Sequence, residues 1–279
     1  MSDNQVVEQR VDAQIYNNDN AESFYTWLMR TYAKGDAVIE TSPSIPHEPS
    51  GDLGVEKLNQ YITNIGGNEY LYTHYERFKN TINVFWEFIS GASRHSIYEL
   101  GGVSIMGGFA SDILLKDVSV YSEDLRRPFE IECEVADCVL CLEVLEHIKD
   151  SPDGERTIED LATFKYTGVM NLLKETFRIL KDDGVLLITT PNACSLDTIV
   201  KIARGEPPYL FDPHVREMTP RQVISFAAAA GFELLRFGTF YAWTTATSDE
   251  RQMALEFVQS VGGDPRHRGD DAFFVFRKC

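Results

Sequence analysis

Apolar positions in the first ninety residues recur at helical spacing. Within residues 1–40, Phe24, Trp27, Leu28 and Tyr32 form one stripe. Thr41 to Gly51 then carries three prolines, which exclude helix and mark an exposed connection. A second helical stretch has Tyr72, Tyr75, Phe78, Ile82, Phe85, Trp86 and Ile89 at spacings of three and four, and Gly91 and Ser93 close it. The N-terminal third therefore predicts helices and gives no strand signal of its own. Its aromatic stripe needs another surface to cover, and the following domain offers one.

From about Ser96 to Cys279 the pattern switches to alternating strands and helices. Ser96–Leu100 reads as a short strand running into Gly101-Gly102. Ala136–Leu142 is apolar nearly throughout, as a strand covered on both faces should be. Val169–Leu180 has helical spacing, Lys181–Gly184 turns the chain, and Val185–Thr189 is a third strand ended by Pro191-Asn192. Thr219-Pro-Arg-Gln222 opens a helix with an N-cap Thr, a Pro at the first position and a Gln that completes a capping box. Gly231 ends it. Strand-like Glu233–Tyr241, a helix at Asp249–Val261 and a strand at Ala272–Phe276 follow. The order predicts an α/β fold with a doubly wound, mostly parallel sheet. The expected division is an N-terminal helical region, 1–93, covering a domain at 94–279.

The composition, 43% hydrophobic and 25% charged, is that of an ordinary globular protein. No apolar run approaches the roughly 20 residues of a membrane span, and the polar N-terminus lacks a signal-peptide pattern. A cytoplasmic location without membrane partners is the expectation. A formal net charge of −17 opposes a polyanionic partner, because nucleic-acid affinity comes largely from basic residues meeting phosphates. No nucleic-acid partner is expected. Five cysteines, an odd count, argue against a disulfide framework. Cys138 and Cys141 form a C-x-x-C inside a strand, where positions i and i+3 face opposite sides and cannot share a metal. They read as core residues.

In an open parallel sheet, ligands bind outside the carboxyl ends of the strands. Glu99–Gly102, Glu143–His147 and Thr190–Asn192 all lie at such ends. Four segments then carry a resemblance. Asp137-Cys-Val-Leu-Cys-Leu-Glu143-Val-Leu-Glu146-His147-Ile148 resembles the fourth strand and following signature of the class I S-adenosylmethionine (SAM)-dependent methyltransferases. Leu173 to Asn192 is similar to their helix, turn and fifth strand, ending in Thr-Thr-Pro-Asn. His214-Val-Arg-Glu-Met-Thr219 through Gly231-Phe232 resembles a later motif, and Phe273–Lys278 the closing antiparallel strand. Together they cover about two-thirds of the chain in the family's order, and the bacterial small-molecule and sugar O-methyltransferase branch is the nearest in pattern. The resemblance implies a Rossmann-like sheet with an antiparallel C-terminal strand, SAM as cofactor and a small-molecule acceptor.

The first family motif, acid-x-Gly-x-Gly-x-Gly, departs here: it reads Glu99-Leu-Gly101-Gly102-Val103-Ser-Ile105, and Gly107-Gly108 come too late to replace the lost glycines in the same turn. Glu99 and Asp137 stand only 38 positions apart, tight for two helices and two strands. Either Val118–Tyr121 is the second strand, with Glu123 or Asp124 as the acid that binds the ribose, or Asp124–Phe129 follows a third strand and a βα unit has been lost.

By resemblance, Glu99, Gly101, Gly102, Glu123, Asp124 and Glu143 are the expected cofactor contacts. His147 and His214 are expected as catalytic bases, with Glu143, Glu146, His147 and His214 as a candidate set for a divalent metal like that of metal-supported O-methyltransferases. A carboxylate–imidazole site suits an ion that polarises a hydroxyl. The structural alternative for Glu146 and His147 is capping of a helix N-terminus. Asn192 is expected either to contact the acceptor or to build a turn, and Tyr209, in the stiff loop Gly205–Phe211, to contact the acceptor or form part of a lid. The leading function is O-methylation of a small hydroxylated acceptor, a sugar or secondary metabolite. The alternative is a degenerate methyltransferase fold that serves as a binding or partner protein. A NAD-dependent dehydrogenase is a distant third, since Gly-x-Gly-x-x-Gly is absent.

Overall fold

The computed structural model describes the backbone at residues 38–39 and the chain at 51–91, 93–102, 104–150, 167–243 and 245–279. The stripe at Phe24–Tyr32, most of the proline-rich connection and Val103 lie outside these residues. Strand β1 (Val38–Ile39) is followed by helices α1 (Gly51–Asn64), α2 (Glu69–Thr73) and α3 (Tyr75–Ser90). Then come β2 (Ser96–Leu100), α4 (Ile105–Asp112), β3 (Asp117–Tyr121) and β4 (Ala136–Leu142). A single 3-10 turn at Leu145–His147 precedes α5 (Thr167–Ile179), β5 (Leu180–Pro191) and α6 (Leu196–Ala203). The chain closes with α7 (Pro220–Ala229), β6 (Phe232–Phe240), α8 (Ser248–Ser260) and β7 (Asp271–Lys278).

The sheet order is β1-β6-β7-β5-β4-β2-β3. β3, β2, β4 and β5 run parallel, and β7 inserts antiparallel between β5 and β6. This is the mostly parallel, doubly wound sheet that the alternation predicted, with the antiparallel C-terminal strand that the resemblance implied. Two departures concern its edges. The N-terminal third does supply a strand: Val38–Ile39 pairs parallel with Arg236–Phe237 and satisfies backbone groups that an edge strand would leave open. At the other edge, Val118–Tyr121 is the second strand, and residues 122–135 form neither helix nor strand before β4 begins. Among the described residues no strand stands between β3 and β4 in the chain, so none corresponds to the family's third, which accounts for the short spacing between Glu99 and Asp137.

Alternating strand positions feed two cores. Val139, Cys141, Leu186, Ile188 and Phe274 pack with Leu172, Leu173, Val223 and Phe226 of α5 and α7. On the other face Ile97, Cys138, Leu140, Val185, Leu187 and Phe273 pack with Leu58, Phe78, Ile82 and Phe85 of α1 and α3 and with Phe109 of α4. Cys138 and Cys141 thus sit in opposite cores, both free. Helices α1 and α3 share the core of the sheet. Burying one Leu or Phe side chain in such a core is worth about 1.5–3 kcal/mol. Helix α1 escaped the sequence pattern, although Leu58, Tyr61 and Ile62 are buried at helical spacing. The turn at Lys181–Gly184 is a bulge within β5, where the register jumps from Ala136↔Leu180 to Cys138↔Val185.

Candidate functional site

The carboxyl ends of β2, β3 and β4 open onto a cleft with two lobes that share Gly101, Glu143 and Val144. The inner lobe, about 370 Å³, runs from Glu99, Gly101 and Ser104 to Tyr61, Arg77 and Thr81 of α1 and α3. The outer lobe, about 460 Å³, is lined by Ser122–Arg126 and by Val144, His147 and Lys149. Gly101 and Gly102, with φ of 93° and 148°, make the turn out of β2. A Cβ on Gly101 would lie 2.9 Å from Val144 Cγ2, so this glycine also lets β4's turn close in.

Ser104 caps α4, its Oγ accepting from the backbone N–H groups of Met106 and Gly107. The Glu99 carboxylate lies over the same helix start. It is 1% exposed and Oε2 accepts from Ser104 N at 3.1 Å, while Oε1 has no hydrogen-bond partner among the described residues. Burial pushes its pKa up. The late glycines now have a role: a Cβ on Gly107 would come within 2.1 Å of Glu99 Oε2, and one on Gly108 within 2.1 Å of the Tyr61 hydroxyl. They sit in the helix rather than the turn, and let a carboxylate and a phenol approach its backbone.

At the end of β3, Glu123 is exposed and Asp124 half-buried, both on the outer lobe. The Asp124 carboxylate accepts from Arg126 Nε at 2.8 Å and Nη2 at 2.9 Å, and its pKa is held down at about 2 by that guanidinium. Arg127 Nε stands 3.3 Å away. Glu143 adopts a left-handed φ of 57°, with its N–H bonded to Thr189 O at 3.0 Å. This turns its side chain into the wall between the lobes, where Oε1 is buried without a partner among the described residues and Oε2 lies 3.9 Å from Arg77 Nη1.

Beyond Glu143, the 3-10 turn buries Glu146 completely. Its Oε2 accepts from Thr190 Oγ1 at 2.9 Å, and its backbone carbonyl accepts from Val215 and Arg216. That pairing ties the fourth-strand signature to the His214 segment. Glu146 Oε1 accepts no hydrogen bond from the described residues and stands 3.9 Å from His147 Nε2. His214 Nδ1–H donates to Glu217 Oε1 at 2.7 Å, which leaves Nε2 as its open nitrogen. The His147 and His214 rings are 4.9 Å apart, edge to face. One ligand atom each from Glu146, His147 and His214 falls within 4.8 Å of the others. Burial, then Glu143, raises the pKa of Glu146; burial, then His214, lowers that of His147.

Asn192 is buried, and its side chain makes the bonds of the turn role: Nδ2 donates to the carbonyls of His267 and Gly269, and Oδ1 accepts from Cys194 N. Tyr209 is exposed on its loop, and its carbonyl accepts from Lys201 Nζ at 2.6 Å. Three residues near the cleft were not among those the sequence pattern singled out. Tyr61 and Arg77 line the inner lobe from α1 and α3. Asp271 opens β7, fully buried, with neither carboxylate oxygen bonded among the described residues. An acidic pair, Asp270-Asp271, directly before an apolar strand was the available clue to it.

Residues 73–236 match the family model of a methyltransferase domain. A comparison with curated protein sequences found no significant match. Among solved structures, the chain is similar to a SAM-dependent methyltransferase from Archaeoglobus fulgidus at 11% identity and a TM-score of 0.49, with 79% of this chain and 99% of that one covered. It is also similar to a Thermotoga maritima SAM-dependent methyltransferase described as a possible histamine N-methyltransferase (14% identity, TM-score 0.47, 80% and 99% covered). The small RNA methyltransferase HEN1 matches at 12% identity and a TM-score of 0.46, with 72% of this chain and 25% of that one covered. The matched family model spans more than half of the sequence, and the chain belongs to this methyltransferase-domain family.

Proposed function

We propose that the protein is a SAM-dependent O-methyltransferase for a small hydroxylated acceptor. The observation that carries this is the two-lobed cleft at the strand ends with the Glu146–His147–His214 cluster beside it. The inner lobe suits the methionyl end of SAM and the outer lobe its nucleoside, with Glu99, Gly101, Gly102 and Glu143 as cofactor contacts. At the outer lobe Glu123 is the acid open to a ribose, since Asp124 is engaged by Arg126. The described part of the 1–93 helical region would cover the inner lobe, and the negative field of the chain favours a small acceptor over a nucleic acid.

Methyl transfer from a sulfonium to oxygen is an in-line displacement, so positioning dominates. The acceptor O–H must also lose its proton. His147, half-exposed and neutral near pH 7 by the lowering described above, can receive it at a ring nitrogen. The buried Oε1 of Glu146, unpartnered among the described residues, and the Glu217-oriented His214 also favour a second role. Glu146, His147 and His214, with Glu143 nearby, would hold a divalent ion that lowers the acceptor hydroxyl's pKa. The imidazoles then act as ligands, and the proton leaves to solvent.

Calorimetric titration with SAM and S-adenosylhomocysteine tests the cofactor reading. Binding in the micromolar range is expected, and no binding of either by about 1 mM (roughly −4 kcal/mol) rejects it, leaving the non-catalytic alternative. For the metal, Mn²⁺ titration followed by electron paramagnetic resonance should show a bound ion. Glu146→Ala with His147→Ala should abolish that signal and leave SAM affinity within about twofold. Unchanged Mn²⁺ binding in the double variant removes this site from consideration.

A further inference from the structure

The wall of the inner lobe opposite Glu99 comes from α3, and Arg77 is the one basic side chain lining that lobe among the described residues. Its guanidinium carbon lies 4.9 Å from the Phe78 ring centre and 5.7 Å from that of Trp243. Nη2 donates to the Tyr70 hydroxyl at 3.2 Å. The nearest carboxylate oxygen among the described residues, Glu143 Oε2, is 3.9 Å from Nη1, too far for a hydrogen bond. Nε is buried with no partner among the described residues. A guanidinium held between aromatic faces, with no bidentate partner, is a fork prepared for a planar anion. Around it, Glu99 and Glu143 each keep one buried carboxylate oxygen without a partner among the described residues. One fixed cation and two acids in a single lobe complement an α-amino-acid terminus, with the carboxylate on the guanidinium and the ammonium on the acids.

We propose that Arg77 binds the α-carboxylate of the methionyl end of SAM, which makes α3 a cofactor-binding element and not only a cover. The inference rests on the reading of the cleft as the SAM site. A purely structural Arg77 would neutralise Glu143 and Asp271 and support packing, without distinguishing one nucleoside ligand from another.

The test compares SAM and S-adenosylhomocysteine with 5′-methylthioadenosine, which keeps the nucleoside and sulfur but lacks the amino-acid end. In Arg77→Met, affinity for the first two should fall about 10- to 100-fold, the worth of a charge-assisted hydrogen bond or two, while 5′-methylthioadenosine binds as it does to the native protein. Arg77→Lys should fall in between, since it keeps the charge and loses the fork. Equal affinity for SAM in native and Arg77→Met proteins overturns the proposal, as does a parallel loss for all three ligands in a folded variant. If Arg77→Met does not fold, Arg77→Lys decides: an unchanged preference for SAM over 5′-methylthioadenosine overturns the proposal. A native protein that binds none of the three rejects the cofactor reading itself, a separate outcome.

Discussion

Gly107 lacks a side chain where the Glu99 carboxylate needs the space. The obstructing atom for an added methyl, Glu99 Oε2, is the end of a flexible chain and can move aside. Ala also gains about 1 kcal/mol over Gly within a helix. Gly107→Ala should therefore leave the melting midpoint close to native while displacing Glu99 from the start of α4. SAM affinity should drop about tenfold, the value of one charge-assisted contact. A titration alongside a thermal melt checks both halves, and undiminished affinity would mean that Glu99 does not serve the cofactor. The same residue shows the limit of motif reading. The glycine string counted Val103 and Ile105 as losses, because close approach of backbone to a cofactor was sought in the turn. Gly107 and Gly108, one helical turn later, serve a different approach, that of the Glu99 carboxylate and the Tyr61 hydroxyl to the helix backbone. Arg77 and Tyr61 were illegible for another reason. Each lines the cleft through tertiary packing, and nothing in its neighbourhood of sequence marks it.

Elements were read more easily than residues. Ser96–Leu100 and Ala136–Leu142 are the strands expected, because a strand buried on both faces needs an apolar run and has few alternatives. The Thr219–Gln222 capping box opens α7 as predicted, because its signal is local hydrogen bonding that no tertiary contact needs to confirm. Failures fall where pairing decides. Val38–Ile39 is a strand because the edge of β6 is beside it. The Lys181–Gly184 turn became a bulge because β4 and β5 pair on either side of it. Segment 122–135 could be read in two registers until the sheet showed that nothing stands outside β3 among the described residues. The pairing of Glu146 with the Val215–Arg216 backbone likewise joins two motifs nearly 70 residues apart, which the sequence showed only as separate strings.

Across the whole molecule, acidic groups collect at the strand ends. Glu99, Glu146, Asp270 and Asp271 are all buried there, and burial raises the pKa of each. Asp270, whose carboxylate accepts from Ala242 N and Trp243 N, is raised to about 7. For an acid with a raised folded-state pKa, the stabilising contribution is full below the unfolded value near 4. It is lost as pH climbs toward 7, because the folded state binds more protons across that window. Buried His267, lowered to about 4, acts oppositely on acidification. A comparison at one residue isolates the acid. Asp270→Asn should gain about 2 kcal/mol relative to native between pH 5.5 and pH 8.5, read from paired denaturant melts. A pH-independent difference between the two proteins would contradict that assignment.

With no third strand, the sheet presents β3 as its outer margin among the described residues. An open margin of backbone donors and acceptors is a template on which another chain can add, and so a route to aggregation. Here that margin is five residues long, begins with the acid Asp117 and runs into Ser122-Glu123-Asp124. Few intermolecular rungs fit such a length, and copies carrying a net charge of −17 repel one another as they approach. Shortening the sheet at this side therefore carries a small colloidal cost, which ought to surface first in concentrated solution near the isoelectric point of about 4.7.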